Sequence, residues 1–279
     1  MRGIKEYSIP ETLDYTLKLL HMHQGKSLVV AGGSHLGLIK SSSNEIIVDI
    51  KKAGLSYIKE DDQNIIIGAT TRAVEIRHSD LLKTFAGGIV SFAASNIGSV
   101  LTQNLVTIGG NVYSLLPWSN LPPALLVLDA TVELASMEGK RTVSLSELLS
   151  ANPRKYIENY EIISSISIPK KNKDLKTSYK VFNLTENDYD IVILAVSLDM
   201  DGKLCKKAKI ALGAAISPCS LMCEAASLLE NKELTDELIK AVAEKLVSGI
   251  KLLKDIRTTD EHRVDVIKTL VKRALEEHK

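Results

Sequence analysis

An apolar strand that runs straight into paired glycines has few ways to fold. In this chain Ser27 to Ala31 is near-continuously apolar and passes into Gly32-Gly33-Ser34-His35-Leu36-Gly37. Such a run predicts a strand buried on both faces. Two residues without Cβ predict a sharp turn whose N–H groups can close on a charged oxygen. A second turn of this kind lies at Thr107-Ile108-Gly109-Gly110-Asn111, and Ser34, Thr107 and Asn111 add short side-chain hydrogen-bonding groups. Two such loops can hold the two ends of a pyrophosphate. Taken singly, each reads as a tight turn, the commoner use of Gly-Gly. Neither fits GxGxxG or the Walker A spacing, which sets aside a Rossmann or P-loop assignment.

The pattern around the loops mixes helix and strand. Leu13, Leu17 and Leu20 share a face of a helix predicted over Glu11–His23, with Ser8 and Glu11 as a capping box and Pro10 in its first turn. Ile46–Ile50 reads as a second apolar strand, completing a small unit over residues 1–55. A second subdomain, 56–172, is expected to hold a strand at Ile65–Ile67 and a helix to about His78 capped by Thr70 or Thr71. A helix over Gly87–Asn96, a polar stretch from Gln103 to Asn120 and an apolar helix over Pro123–Leu128 follow. Strands at Thr131–Ala135 and Arg141–Leu145 flank a Glu138-Gly139 turn, a short helix covers Ser144–Leu149, and Glu161–Ile168 is β-rich. The Lys-rich stretch Pro169–Ser178 reads as a boundary. Beyond it, in 173–279, strands at Ile191–Met200 and Ala208–Ile216 precede three helices near Pro218–Glu230, Thr235–Ser248 and Asp260–Glu277, with Ser217-Pro218 read as the first helix start.

Charge and cysteine content narrow the function classes. A formal net charge of +1 gives no electrostatic reason to expect nucleic acid or a membrane surface. The basic runs Lys170–Lys176 and Lys203–Lys209 read as solvated faces. No segment approaches the length of a membrane span, and residues 1–10 have no leader pattern. Three cysteines, Cys205, Cys219 and Cys223, argue against a disulfide scaffold and for a reducing cytoplasm. They are too few for an iron–sulfur cluster with four thiolates, although Cys219 and Cys223 would share a helical face. No metal site is expected. His35, His78 and His262 have no partner pattern, and no catalytic triad or carboxylate pair can be assembled. No catalytic residue is expected; redox chemistry here would need an organic carrier.

The stretch Val29-Val30-Ala31-Gly32-Gly33 resembles the first FAD-binding loop of the flavoprotein subunits in the xanthine dehydrogenase and carbon monoxide dehydrogenase family of molybdenum hydroxylases. Thr107-Ile108-Gly109-Gly110-Asn111, followed by Leu121-Pro122-Pro123-Ala124-Leu125, resembles the second loop and its trailing helix. Ile97-Gly98-Ser99 matches the lead-in, and Asp190-Ile191-Val192 resembles the start of the C-terminal domain. The resemblance runs along essentially the whole chain. It implies an α+β fold: a two-subdomain FAD-binding region of the PCMH, vanillyl-alcohol-oxidase-like type, then a small C-terminal domain with an antiparallel sheet and helices.

The resemblance also implies roles. Val29 through Leu36 and Thr107 through Asn111 would hold FAD, the loops by backbone N–H groups. Ile97 and Ile163 would pack as apolar walls. Lys180 stands where the family often has a flavin-contacting lysine; as a residue it reads equally as a solvated strand lysine. At Asn120 the family usually has an aspartate that contacts FAD hydroxyls, and an amide offers no negative charge there. Gln103 and Leu105 replace two common arginines, Val106 a glycine, and Tyr113, Leu115 and Trp118 are bulky where small residues are frequent. The implied function is an electron-transfer subunit working beside a molybdenum-cofactor large subunit and a 2Fe-2S small subunit, with NAD or another acceptor. The last three helices and the face near the flavin are the implied docking surfaces. A self-contained flavin reductase and a scaffold subunit that has lost FAD stand as rivals.

Overall fold

Parallel pairing shapes the first unit. The computed structural model describes residues 4–23, 25–35 and 45–279. Strands β1 (Glu6–Ser8), β2 (Ser27–Val30) and β3 (Ile46–Asp49), with α1 (Leu13–Met22) between the first two, form a parallel sheet in the order β1-β3-β2. The central β3 is buried along its length, whereas edge strand β2 buries Val30 and leaves Val29 37% exposed. The expected burial of β2 on both faces is therefore corrected: an edge strand here has only one covered face. Helix α1 is capped by Thr12, whose Oγ1 accepts from Tyr15 N at 3.2 Å, in place of the expected Ser8 box. Leu17 and Leu20 point into a small core with Ile46 and Val48, and Ala135 and Ile162 of the next unit close it.

The second unit is a five-stranded antiparallel sheet, β4 (Ile58–Glu60), β5 (Asn64–Gly68), β6 (Thr131–Ser136), β7 (Gly139–Ser144) and β8 (Ile162–Pro169), in the order β4-β5-β8-β6-β7. Between β5 and β6 the chain builds α2 (Ala73–His78), α3 (Asp80–Thr84), α4 (Ile89–Ser95), α5 (Val100–Gln103), α6 (Ile108–Ser114) and α7 (Leu121–Val127). Between β7 and β8 lie α8 (Leu145–Ser150) and α9 (Pro153–Tyr156). Helix α2 starts after Arg72 and not at a threonine cap: Glu75 Oε2 accepts from Arg72 N at 2.9 Å, while Thr71 Oγ1 is taken by Tyr57. Helix α4 begins two residues later than expected because Ala86, Gly87 and Gly88 all have positive φ. Helix α6 lies inside the stretch read as polar loop. Thr107 caps it, and Gly109 packs so tightly that an added Cβ would stand 2.8 Å from Ala69 Cβ and 2.9 Å from Ala69 O.

The third unit is the antiparallel sheet β9 (Lys176–Phe182), β10 (Val192–Asp201), β11 (Leu204–Gly213) and β12 (Ser220–Leu221). It is followed by α10 (Cys223–Ala226), β13 (Lys232–Glu233), which also pairs with β11, and the long helices α11 (Asp236–Val247) and α12 (Asp260–Glu276). Ser217-Pro218 does not begin a helix. The residues after it pair with β11 as an edge strand, and Met222 N donates to Ile210 O at 2.7 Å. Cys219 is consequently buried and Cys223 exposed, on no common face. The Lys-rich connector is fastened to the second unit: Asn172 is buried and donates to Leu128 O at 2.7 Å.

Both faces of the third sheet are covered. Leu194 and Val196 pack with α11 and α12, while Ile193 and Ala195 join the core of the second unit. A buried polar chain crosses the same junction. Tyr179 Oη donates to Asn120 O at 2.8 Å, and Asn120 Nδ2 donates to Asp190 Oδ2 at 2.6 Å. Asn183 Nδ2 donates to the other carboxylate oxygen at 3.2 Å. Burial pushes the Asp190 carboxyl up to about 6, against the pull of the two amides and Arg257.

Two outcomes are expected. Gly109→Ala forces α6 off the end of β5 and should cost about 1–3 kcal/mol in denaturant unfolding. Asp190 holds its proton more tightly folded than unfolded, so it favours folding most below its ordinary value of 3.8, and this contribution is lost as pH rises through about 6. The stability of the native chain relative to Asp190→Asn should therefore fall between pH 4 and pH 7, by on the order of 2 kcal/mol. A parallel pair of stability–pH curves would refute this.

Candidate functional site

The first two units meet at glycine. A Cβ on Gly32 would stand 1.5 Å from Leu105 O and 3.4 Å from Thr107 Cγ2, so no other residue permits this approach. The first glycine loop therefore lies directly on the lead-in to the second. Gly33 follows at φ +72°, a left-handed turn suited to glycine.

The second loop is stitched to the segment after β5. Ala73 N donates to Val106 O, Ile108 N to Thr71 O and Gly109 N to Ala69 O, at 2.8 to 3.0 Å. Gly110 N donates to Thr107 Oγ1 at 3.2 Å and Asn111 N to Thr107 O at 2.9 Å. The N–H groups of Ile108, Gly109, Gly110 and Asn111 are thus satisfied within the protein, and Asn111 Oδ1 accepts from Leu121 N at 3.2 Å. In the first loop, among the described residues, the N–H groups of Gly32, Gly33, Ser34 and His35 take no backbone partner. The second loop therefore has no N–H group of Ile108 to Asn111 left over for a ligand. The second loop contributes a rigid wall and the Thr107 side chain.

A cleft of about 570 Å³ opens between the units, within the usual range of roughly 300–1,000 Å³ for small-molecule sites. Val30, Ala31, Gly32 and Gly33 form one side, and Thr70, Arg72, Leu105 and Thr107 the other. Tyr7, Asp49 and Lys51 line it as well. Asp49 is buried and accepts from Tyr7 Oη, from Lys51 N at 3.1 Å and from Lys51 Nζ at 2.8 Å. Burial works against its charge, but these bonds outweigh it and keep the carboxyl below its ordinary value. Thr70 Oγ1 is buried with no hydrogen-bond partner among the described residues, an unmet demand facing a polar cleft.

Close to the first loop, Ser34 Oγ lies 3.1 Å from His35 Nδ1. Burial, and next the charge of Arg154, hold the His35 imidazole below its ordinary pKa. Arg154 Nη2 donates to Ser114 O at 2.8 Å, at the end of α6. Arg154 therefore stands beside both loops, and no motif pointed to it. Thr70 was read as a helix cap, and Tyr7, Lys51 and Arg72 carried no spacing signal.

Other expected site residues lie elsewhere. Val29 faces outward, and Leu36 falls outside the described residues. Ile97 and Ile163 are buried in the core of the second unit and do not line the cleft. The Asn120 amide is engaged by Asp190. Lys180 is ion-paired to Glu277, which also accepts from Ser178, on the sheet face that packs against α12. Trp118 stacks on Tyr189 at 4.5 Å between ring centroids, beside the domain junction. Among the described residues no three His, Cys, Asp or Glu side chains gather as metal ligands, and no helix is long and apolar enough to cross a membrane.

The chain is 31% identical over 278 residues to the 6-hydroxypseudooxynicotine dehydrogenase complex subunit alpha of Paenarthrobacter nicotinovorans, covering 97% of this chain and 93% of that one. It is 28% identical to the glyceraldehyde dehydrogenase medium chain of Sulfolobus acidocaldarius, covering 97% of each. A solved structure of reconstituted CO dehydrogenase from Oligotropha carboxidovorans contains a chain that superposes with a TM-score of 0.91 at 25% identity, covering 99% of this chain and 98% of that one. Residues 3–171 match the family described as the FAD binding domain in molybdopterin dehydrogenase, and residues 177–278 match the CO dehydrogenase flavoprotein C-terminal domain. The chain belongs to this family of FAD-binding flavoprotein subunits of molybdenum-containing dehydrogenases.

Proposed function

We propose that this oxidoreductase component holds FAD across the cleft between its first two units and relays electrons. It receives them from the 2Fe-2S small subunit of a complex whose molybdenum-cofactor large subunit oxidises the substrate, and passes them to NAD or another acceptor. The observation that carries the reading is the Gly32–Leu105 contact, which places both glycine loops on one cleft.

The residues present fit such a cofactor. The first loop offers N–H groups of Gly32, Gly33 and Ser34 to phosphate oxygens, and glycine at both leading positions lets the phosphates approach the backbone. Thr107 and Thr70 offer hydroxyls from the opposite wall, and Arg154 supplies positive charge beside the loops. Asn120 stands buried away from the cleft, its amide serving Asp190 and its backbone carbonyl Tyr179. Lys180, already paired with Glu277, acts in this reading on the charge balance of the C-terminal unit. FAD, when bound, supplies the chemistry by taking up and releasing electrons singly or in pairs. The protein binds, orients and screens it, and this part of the reaction needs no proton-transferring side chain.

The purified chain should show a flavin absorption band after incubation with FAD and desalting, and the band should bleach with dithionite. Folded protein that retains no flavin would overturn the reading and favour a scaffold role. Rapid NADH-dependent bleaching by the isolated chain would favour the self-contained reductase. Gly32→Ala should abolish retention by parting the loops. Thr70→Val removes a buried hydroxyl without a partner, so it should leave the flavin-free chain at least as stable while weakening FAD binding about fivefold, the equivalent of ~1 kcal/mol.

A further inference from the structure

A second hollow, of about 330 Å³, shares no lining residue with the cleft between the first two units. Three stretches far apart in the chain build it. The kink between α3 and α4 supplies Gly87, the Lys-rich connector running into β9 supplies Lys173, Asp174, Lys176 and Thr177, and His278 follows α12. Hydrogen bonds fix the walls. Ala86 N donates to Lys173 O at 3.0 Å, and Thr177 Oγ1 donates to Ala86 O at 2.7 Å. Gly87 has φ +62°, and a Cβ there would stand 2.9 Å from Thr177 Oγ1. The kink therefore brings backbone and no side chain to the hollow.

The charges of the hollow are not balanced from within. Lys170 and Lys180, close by in the sequence, are paired with Glu60 and Glu277. Among the described residues Lys173 and Lys176 take no ion-pair partner, and Asp174, the one carboxylate on the lining, pairs with neither. Two cations against one carboxylate leave a positive excess. His278 adds an unmet polar atom: its Nε2 is buried with no hydrogen-bond partner among the described residues. Burial first, then the charges of Lys176 and Lys180, hold this imidazole below its ordinary pKa, against a bond with the Thr177 backbone and the charge of Glu277. Glu277 is already committed to Lys180 and Ser178. A negative charge brought into the hollow would be the missing counter-charge for both lysines and would favour the protonated ring.

We propose that this hollow binds a small anionic molecule bearing a phosphate or carboxylate group, held by Lys173 and Lys176 with His278 Nε2 as its hydrogen-bond partner. The volume sits at the lower end of the usual range of roughly 300–1,000 Å³, enough for a short organic anion. The kink belongs to the second unit, and β9 and α12 to the third, so the bound molecule ties the two units together. The site stands independently of the FAD reading.

Isothermal titration of the full-length chain tests this, with sulfate as stand-in for a phosphate group and malonate for carboxylates, at constant ionic strength held with sodium chloride. Saturable binding is expected, and the anion that binds more tightly assigns the class. Lys173→Gln and Lys176→Gln, both at exposed positions, should each weaken it about fivefold. Lys171→Gln, on the same connector but outside the hollow, should not. Sulfate keeps its charge across the range, so its binding should tighten as pH falls below the ordinary histidine value of 6.5, when His278 gains its proton. His278→Gln should still bind sulfate and lose that dependence. No saturable binding of either anion would overturn the proposal. So would binding that Lys173→Gln and Lys176→Gln leave intact, since the anion would then sit elsewhere, on the first glycine loop for example. Equal weakening by Lys171→Gln would reduce the effect to an adventitious ion only, drawn by general surface charge, and would overturn it as well.

Discussion

At Gly32 the backbone of the first unit rests against the carbonyl of Leu105, and every feature of the cleft follows from that approach. A parallel three-stranded sheet and an antiparallel five-stranded one have no common ladder. What joins them near the cleft is a contact too close for any side chain. It sets the first loop at the mouth of the second, gives Thr107 a place on the shared wall, and leaves the first loop's N–H groups without a backbone partner among the described residues. The division of labour between the loops has the same origin. One is braced by β5 and the helix it starts, and the other is free to serve a ligand.

The domain junction works by a different principle. Asn120, where the family's aspartate is usual, donates to buried Asp190. A carboxylate at position 120 would set two like charges together in a region already poor in solvent, which burial and repulsion both oppose. The amide resolves this by satisfying Asp190, while the Asn120 backbone carbonyl takes the Tyr179 hydroxyl. The departure at this position is thus accommodated by the packing of the third sheet rather than by the cleft.

Much of this was legible in the sequence, and the failures have local physical causes. Strands and long helices announced themselves by period, and the glycine loops by composition. Helix α6 was hidden because Gly109 and Gly110 are poor helix formers, although Thr107 caps the helix from a position three before Gly110. The start at Ser217-Pro218 obeyed a sound capping rule and lost to edge pairing with β11, a contact no local pattern reveals. The cleft itself divides the same way. Gly32, Gly33 and Thr107 were found from their loops. Tyr7, Lys51 and Thr70 arrive from distant elements, and only the folded chain brings them together.

The two halves matched by separate family descriptions are not separable bodies. Along β10 alternate side chains belong to different cores, Leu194 and Val196 to one, Ile193 and Ala195 to the other, and Ser197 Oγ donates to Val127 O at 2.7 Å. A C-terminal fragment cut at the Lys-rich connector would keep its helices and still present a bare apolar sheet face, seeking a substitute for α7. Exchange of that half between relatives would set the same face against an unfamiliar helix. Such chains must vary as a whole, each half constraining which substitutions the other can tolerate.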